Sequence, residues 1–176
     1  KSSKKEFSIN LRIPGWCKGA KVKLNGKPVD LNIAPEQYFA INAKWSVGDV
    51  IELEMPMTVR MIESNPLVEE TRNQVTVMRG PIVYCLESMD LPENVKIEDI
   101  MIPIASEFKP VETVIDGSPV IMLEGEAFVN KSKSWEHQLY REVSPVKESI
   151  KIKLVPYYAW NNRGHGEMSV WLPVSR

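Results

Sequence analysis

Hydrolysis of a glycosidic bond needs two carboxyl groups roughly 5–10 Å apart, one of them held protonated. Glu136 and Glu167, each close to aromatic residues, are the pair whose surroundings suit that work, with Asp49 and Glu69 as further carboxylates. No catalytic signature surrounds them, and glutamates at strand ends are common on protein surfaces, so both are expected to be surface residues without a catalytic role. A nucleophilic cysteine would need Cys17 or Cys85 within reach of His137 or His165. Cys85 stands in an apolar run and is read as a small buried hydrophobe. The chain holds only two histidines and no Cys-x-x-Cys pair, so no metal site is expected in it. A Cys17–Cys85 disulfide is open from sequence, since it requires the two Cα atoms to come within about 7 Å. Arg79-Gly80-Pro81 lacks the spacing of a phosphate loop and is read as an arginine anchoring a bulge before a central strand.

The densest group of candidate ligand-binding residues is the C-terminal stretch from Tyr157 to Pro173, with two of the five tryptophans and two of the five tyrosines. Its polar turn, Asn161 to Glu167, separates two apolar runs. One expectation is a sugar-binding lip, in which Tyr157, Tyr158 and Trp160 stack on sugar rings while Asn162 and Arg163 bond hydroxyls. The preferred one is a closing hairpin whose aromatics seal a β core and whose loop is held by its own backbone. Trp135 with Tyr140 reads equally as an aromatic platform and as an interdomain contact.

The elements that must position these residues are strands. Phe7, Ile9, Leu11 and Ile13 alternate with polar residues, as do Val22 and Leu24, Phe39 to Ala43, Ile51 to Met55, Ile100 to Ile104, and Ile150 to Leu154. Asn25-Gly26 and Asp116-Gly117 mark hairpins. Ile82 to Leu86 is apolar on both faces, which predicts a strand covered on both sides. Thirteen prolines scattered among short apolar runs favour strands and turns over long helices. The expected fold is all-β, two consecutive antiparallel β-sandwiches over residues 1–89 and 90–176, with the boundary in the polar segment Ser88 to Asn94. The 176 residues are 43% hydrophobic and carry a net charge of −1 with interspersed lysines and glutamates, so neither nucleic acid nor an anionic membrane is an expected partner. No apolar run approaches the roughly 20 residues of a membrane-spanning helix. The opening Lys-Ser-Ser-Lys-Lys has no initiator Met or apolar leader and reads as the start of a piece of a longer protein.

Five segments in order resemble one family: Leu11-Arg12-Ile13-Pro14-Gly15-Trp16, Asn25-Gly26, Trp45-Ser46-Val47-Gly48-Asp49, Met78-Arg79-Gly80-Pro81-Ile82-Val83-Tyr84, and Pro156-Tyr157-Tyr158-Ala159-Trp160-Asn161-Asn162-Arg163-Gly164. The family is glycoside hydrolase 127, the β-L-arabinofuranosidase group, and the likeness covers nearly the whole chain but only the C-terminal part of such a protein. It implies an N-terminal (α/α)6 barrel outside this chain that carries the catalytic cysteine, its glutamate partners and a zinc-binding cysteine cluster. None of those residues maps onto this chain, which has no Glu-x-Cys and no adjacent cysteines. The implied role is therefore a non-catalytic accessory region that supports the barrel and can mediate dimerisation. It implies no cofactor of its own, zinc in the barrel, and a periplasmic or extracellular location rather than a cytoplasmic one. The alternative is an autonomous carbohydrate-binding module using Trp135, Tyr157, Tyr158 or Trp160.

Overall fold

The computed structural model describes residues 5–29, 33–130, 139–140, 142 and 148–176. Trp135, Glu136 and His137 lie outside the described residues. The chain forms two compact units, Lys1–Thr58 and Val59–Arg176.

The first unit contains β1 (Lys5–Ile13), β2 (Lys21–Leu24), β3 (Lys27–Pro28), β4 (Gln37–Trp45) and β5 (Ile51–Glu54). β1 pairs antiparallel with β4 from Lys5↔Trp45 to Ile13↔Gln37, and β3-β2-β5 form a second sheet. Ile13, Phe39, Ile41 and Trp45 from one sheet and Val22 from the other share a core with Cys17 and Ala20. The alternation of β1 is only partly converted into burial: Ile13 is 1% exposed, Ile9 and Leu11 are half-buried, and Phe7 is 50% exposed. Period-two patterning names the face but not how far the opposing layer extends along it. At that open end the Trp45 indole Nε1 donates to the Phe7 carbonyl at 2.8 Å, and the two rings lie 5.8 Å apart.

The turn chemistry is as the sequence predicts. Asn25 and Gly26 join β2 to β3 with φ of 51° and 75°, and Asp116 and Gly117 adopt 48° and 73°. Positive φ at both central residues gives the turn whose twist matches paired strands, and Asn/Asp-Gly is the pair that adopts it at least cost. Asn25 also bonds outward. Its Nδ2 donates to Asp49 Oδ1 at 3.0 Å and its Oδ1 accepts from the Val50 amide at 2.8 Å. Asp49 Oδ2 in turn accepts from the Ser46 amide at 2.6 Å. Asp49, one of the carboxylates considered for catalysis, is thus engaged in a joint between two turns.

The second unit adds β6 (Val59–Ile62), β7 (Gln74–Arg79), β8 (Ile82–Glu87), β9 (Ile100–Pro103), β10 (Lys109–Ile115), β11 (Ser118–Val129), β12 (Glu148–Pro156), β13 (Met168–Ser169) and β14 (Leu172–Ser175). Six of these close a ring in the order β7-β8-β12-β11-β9-β14 and back to β7, with β9–β14 parallel and the other five pairings antiparallel. Every strand of the ring sends residues into one core: Val75 and Val77, Tyr84 and Leu86, Ile152 and Leu154, Leu123 and Ala127, Ile100 and Ile102, and Leu172. The spacing of two within each strand is what a face turned inward requires. The all-β class is observed; in this unit the strands close on themselves as a barrel rather than lying as two facing sheets. Alternation dictates an inward face equally for either arrangement, so closure was not legible in it.

The division between units falls at Thr58/Val59, not in the Ser88–Asn94 segment expected from its polarity. The reason is pairing. β6 runs beside β7, β7 beside β8, and β8 beside β12 (Leu86↔Leu154), so residues 59–87 belong to the second unit's ladders. Ser88–Asp90 is a short 3₁₀ turn within that unit. Arg79-Gly80-Pro81 is the hairpin between β7 and β8, with the Gly80 carbonyl accepting from Arg60 Nη2 at 3.0 Å, so the expected bulge is a turn.

β8 is covered on both sides, as its two-sided apolar run predicts. Tyr84 and Leu86 point into the barrel, while Cys85 joins an outer cluster with Val155, Met122, Val120, Ile115 and Ala159. Gly125 interrupts the inward set of β11 because a Cβ there would lie 2.5 Å from the Phe108 ring. The missing side chain is what admits Phe108, 7% exposed, to the barrel core.

Candidate functional site

The Asn161–Glu167 turn is held by side chains from the end of β8. Arg163 Nη1 donates to Asp90 Oδ1 at 2.9 Å, and its Nη2 donates to both Asp90 Oδ2 and Glu87 Oε2. The other Glu87 oxygen accepts from the Asn161 amide at 2.8 Å. Glu87 is only 3% exposed, so its charge is compensated almost wholly by these partners. Asp90's hydrogen bonds, working against burial and aided by Glu87, raise the Arg163 pKa above its usual range. Two backbone links complete the clamp: the Glu167 amide donates to Ser88 Oγ at 3.0 Å and the Ser88 amide to the Glu167 carbonyl at 2.9 Å.

Arg163, read from sequence as a hydroxyl ligand, is therefore committed to two carboxylates. The expectation that the loop is held by its own backbone is corrected as well, because its anchor is an ion triad with residues far earlier in the same chain. No local pattern marks Glu87 and Asp90, which stand 76 and 73 residues before their arginine. The one available signal was an acidic residue directly following a run apolar on both faces.

Trp160 packs on the outer apolar cluster with Met168 and Val170, whereas Tyr157 and Tyr158 are 47% and 65% exposed. Asn162, His165 and Glu167 are exposed on the clamped turn, and Tyr140 is exposed. Glu69 is an exposed residue of a 3₁₀ turn, 3.7 Å from Arg72. The lip thus retains two accessible tyrosines and three polar side chains on a rigid support, while its tryptophan belongs to the packing.

Both cysteines are free and buried. Burial, and next the Glu87 carboxylate, push the Cys85 thiol up to about 12, and burial raises that of Cys17. Cys85 Sγ lies 3.6 Å from the Val155 carbonyl, its hydrogen-bond acceptor. A raised pKa keeps the folded thiol protonated, so Cys85 favours folding below its ordinary value of 9.0, and that contribution is lost as pH rises toward about 12. Neither thiol is expected to react with iodoacetamide at pH 8 until denaturant is added, when both should be alkylated. Native-state alkylation of Cys85 within minutes, seen by mass spectrometry, would contradict this account.

Beside the clamp runs a groove of about 880 Å3. Its floor is the outward face of three strands, where Lys109 (β10), Glu124 (β11) and Lys153 (β12) are cross-strand neighbours and Glu126 faces Lys151. Lys153 and Glu124 approach to 3.2 Å. One wall is Met89 and Asp90, fixed by the Arg163 clamp. The opposite wall is the segment after β9, tied down by Ser106 Oγ donating to the Glu126 carbonyl at 2.7 Å. Among the described residues no three His, Cys, Asp or Glu side chains gather as a metal-binding group.

The model of the beta-L-arabinofuranosidase GH127 middle domain matches residues 1–57, and that of the glycoside hydrolase family 127 C-terminal domain matches residues 59–173. The two matches meet where the contacts divide the chain. A non-reducing end beta-L-arabinofuranosidase of Bifidobacterium longum subsp. longum is 33% identical in an alignment that covers 93% of this chain and 25% of that protein. A solved glycoside hydrolase superposes with a TM-score of 0.90 at 49% identity, over 97% of this chain and 28% of its own. A GH127 beta-L-arabinofuranosidase from Geobacillus stearothermophilus T6 gives 0.87 at 36% identity, over 98% and 27%. The chain thus spans about a quarter of the length of these relatives. With both of its units matched, one to the family's middle domain and the other to its C-terminal domain, the chain belongs to glycoside hydrolase family 127.

Proposed function

We propose that this chain is a non-catalytic accessory region of a β-L-arabinofuranosidase-like glycoside hydrolase, supporting a catalytic barrel that lies outside it. The observation that carries this reading is how its reactive groups are engaged. Glu87 and Asp90 are bound by one arginine, Asp49 braces a turn, and both thiols are buried and protonated. A carboxylate locked in a charge-assisted network cannot easily shuttle protons, and a buried thiol of raised pKa is a poor nucleophile. The partly uncovered inner face of β1, ending at Phe7, adds an apolar margin of the kind that packs against another domain or a second copy.

The test compares this chain with the full-length protein on a chromogenic β-L-arabinofuranoside, with zinc and reductant present. Turnover is expected from the full-length protein alone. Hydrolysis by the 176-residue chain would overturn the accessory reading and return Glu136, Glu167, Cys17 and Cys85 to consideration.

A further inference from the structure

Asn25 is the one asparagine in the chain that is followed by glycine, and that dipeptide carries a chemistry of its own. The glycine amide nitrogen attacks the side-chain carbonyl carbon, Cγ, of the asparagine. A C–N bond forms, the attacking nitrogen gives up its proton, and the carboxamide nitrogen leaves as ammonia. Water then opens the cyclic imide at either carbonyl and leaves an aspartyl or an isoaspartyl residue. Neither cofactor nor oxidant enters. A Cβ beside the attacking nitrogen hinders the approach, but Gly26 has none, and nothing lies within 4 Å of where one would stand.

The folded turn withholds this reaction. In a turn with positive φ at both central residues, ψ of the first is about +30°. That angle sets the Gly26 nitrogen on the far side of the Cα–C bond from Cβ, out of reach of Cγ. The side chain is tethered too. Its Nδ2 donates to Asp49 Oδ1 at 3.0 Å, its Oδ1 accepts from the Val50 amide at 2.8 Å, and the Asn25 amide donates to the Val50 carbonyl at 2.9 Å. Asn25 is exposed, so water reaches the site, and these bonds rather than burial hold the reacting atoms apart.

We propose that Asn25 is a deamidation site kept latent by its joint with Asp49 and Val50, and that its conversion uncouples the β2–β3 turn from the Ser46–Asp49 turn. The uncoupling follows from charge. Conversion replaces the donor nitrogen by a carboxylate oxygen facing Asp49 Oδ1, so a bond of 3.0 Å becomes a like-charge contact. An isoaspartyl residue also lengthens the main chain by one carbon, for which a two-residue hairpin has no slack. The competing account is that Asn-Gly is merely the pair of least strain for this turn, with Asp49 having no part in its chemical lifetime. The inference concerns the first unit alone and does not depend on whether the region supports a catalytic barrel.

The test incubates the full-length protein, its Asp49→Ala variant and the urea-unfolded protein at pH 8 and follows position 25 by peptide mapping. Conversion is expected to be slowest in the native protein and fastest in urea. Asp49→Ala is expected to convert about ten-fold faster than the native parent, the factor for releasing roughly one hydrogen bond before attack. Hydrogen exchange at Ile41, in the adjoining core, reports whether that variant stays folded. If it does not, Asp49→Asn replaces it; one acceptor oxygen remains, and conversion faster than the parent's is again expected. Native conversion as fast as in urea, or a folded position-49 variant no faster than the parent, would overturn the gate. Asn25→Asp, which installs the product outright, is expected to quicken exchange at the Asp49 and Val50 amides. Unchanged exchange there would overturn the uncoupling.

Discussion

Arg163→Met is expected to lower the unfolding free energy by about 3 kcal/mol, the lower end of the range for breaking a buried ion pair. The lower end applies because the Arg163 side chain is 23% exposed and water can reach part of it, whereas the Glu87 side chain is 4% exposed. Methionine retains the packing of the stem but leaves the Glu87 carboxylate in the protein with only the Asn161 amide as a donor from this turn. The cost is that of a stranded buried charge rather than of a lost contact. Arg163→Lys is expected to recover little, since a single ammonium cannot reproduce the forked approach to Asp90 while also meeting Glu87. Urea denaturation of both variants measures the loss. Adding Glu87→Gln to Arg163→Met should restore part of it, because the neutral amide removes the stranded charge. A loss under about 1 kcal/mol would place the triad among surface ion pairs. Amide exchange at Asn161 and Glu167 should quicken in Arg163→Met, since both amides sit on the clamped turn and donate across to Glu87 and Ser88 at the end of β8.

Leu123→Ala is expected to cost about 2–5 kcal/mol. Leu123 is fully buried and sits midway along β11, opposite Pro110 of β10 on one side and Leu154 of β12 on the other. Two residues on, Phe108 already fills the space vacated by Gly125, so no neighbouring side chain is free to swing into a cavity at position 123. The expected size of the loss follows from that inability to relax. Leu123→Met, which conserves volume, should cost less than about 1.5 kcal/mol. Denaturant midpoints for the pair give the comparison, and an alanine variant no less stable than the methionine one would mean that the barrel wall collapses around the deletion.

The local grammar of the chain is legible in its sequence. Asn25-Gly26 and Asp116-Gly117 could only be hairpin turns, because few other pairs tolerate two successive residues at positive φ. Ile100 and Ile102, and Ile152 and Leu154, announced inward faces through spacing alone, and Ile82 to Leu86 announced a strand covered twice. The family likeness was legible too, since its segments include the β2–β3 turn, the Ser46–Asp49 turn that Asn25 braces, and the Arg163 clamp. Phe7 was overread, because alternation continues past the point where the opposing layer stops covering it.

What the sequence by itself determined was the class of structure and the lineage, both written in spacings of two to five residues that backbone geometry constrains directly. What only the tertiary structure decided was whatever depends on residues far apart in the chain. Closure of the barrel hangs on β14 meeting both β9 and β7, some seventy and a hundred residues earlier. The division of the chain at Thr58 follows from which strands pair, not from where the sequence turns polar. Arg163 passed from sugar ligand to clamp because Glu87 and Asp90 meet it through a ladder that brings β8 against β12 and β13. Charge compensation in a buried site is a property of three-dimensional distance, and one-dimensional spacing carries no record of it.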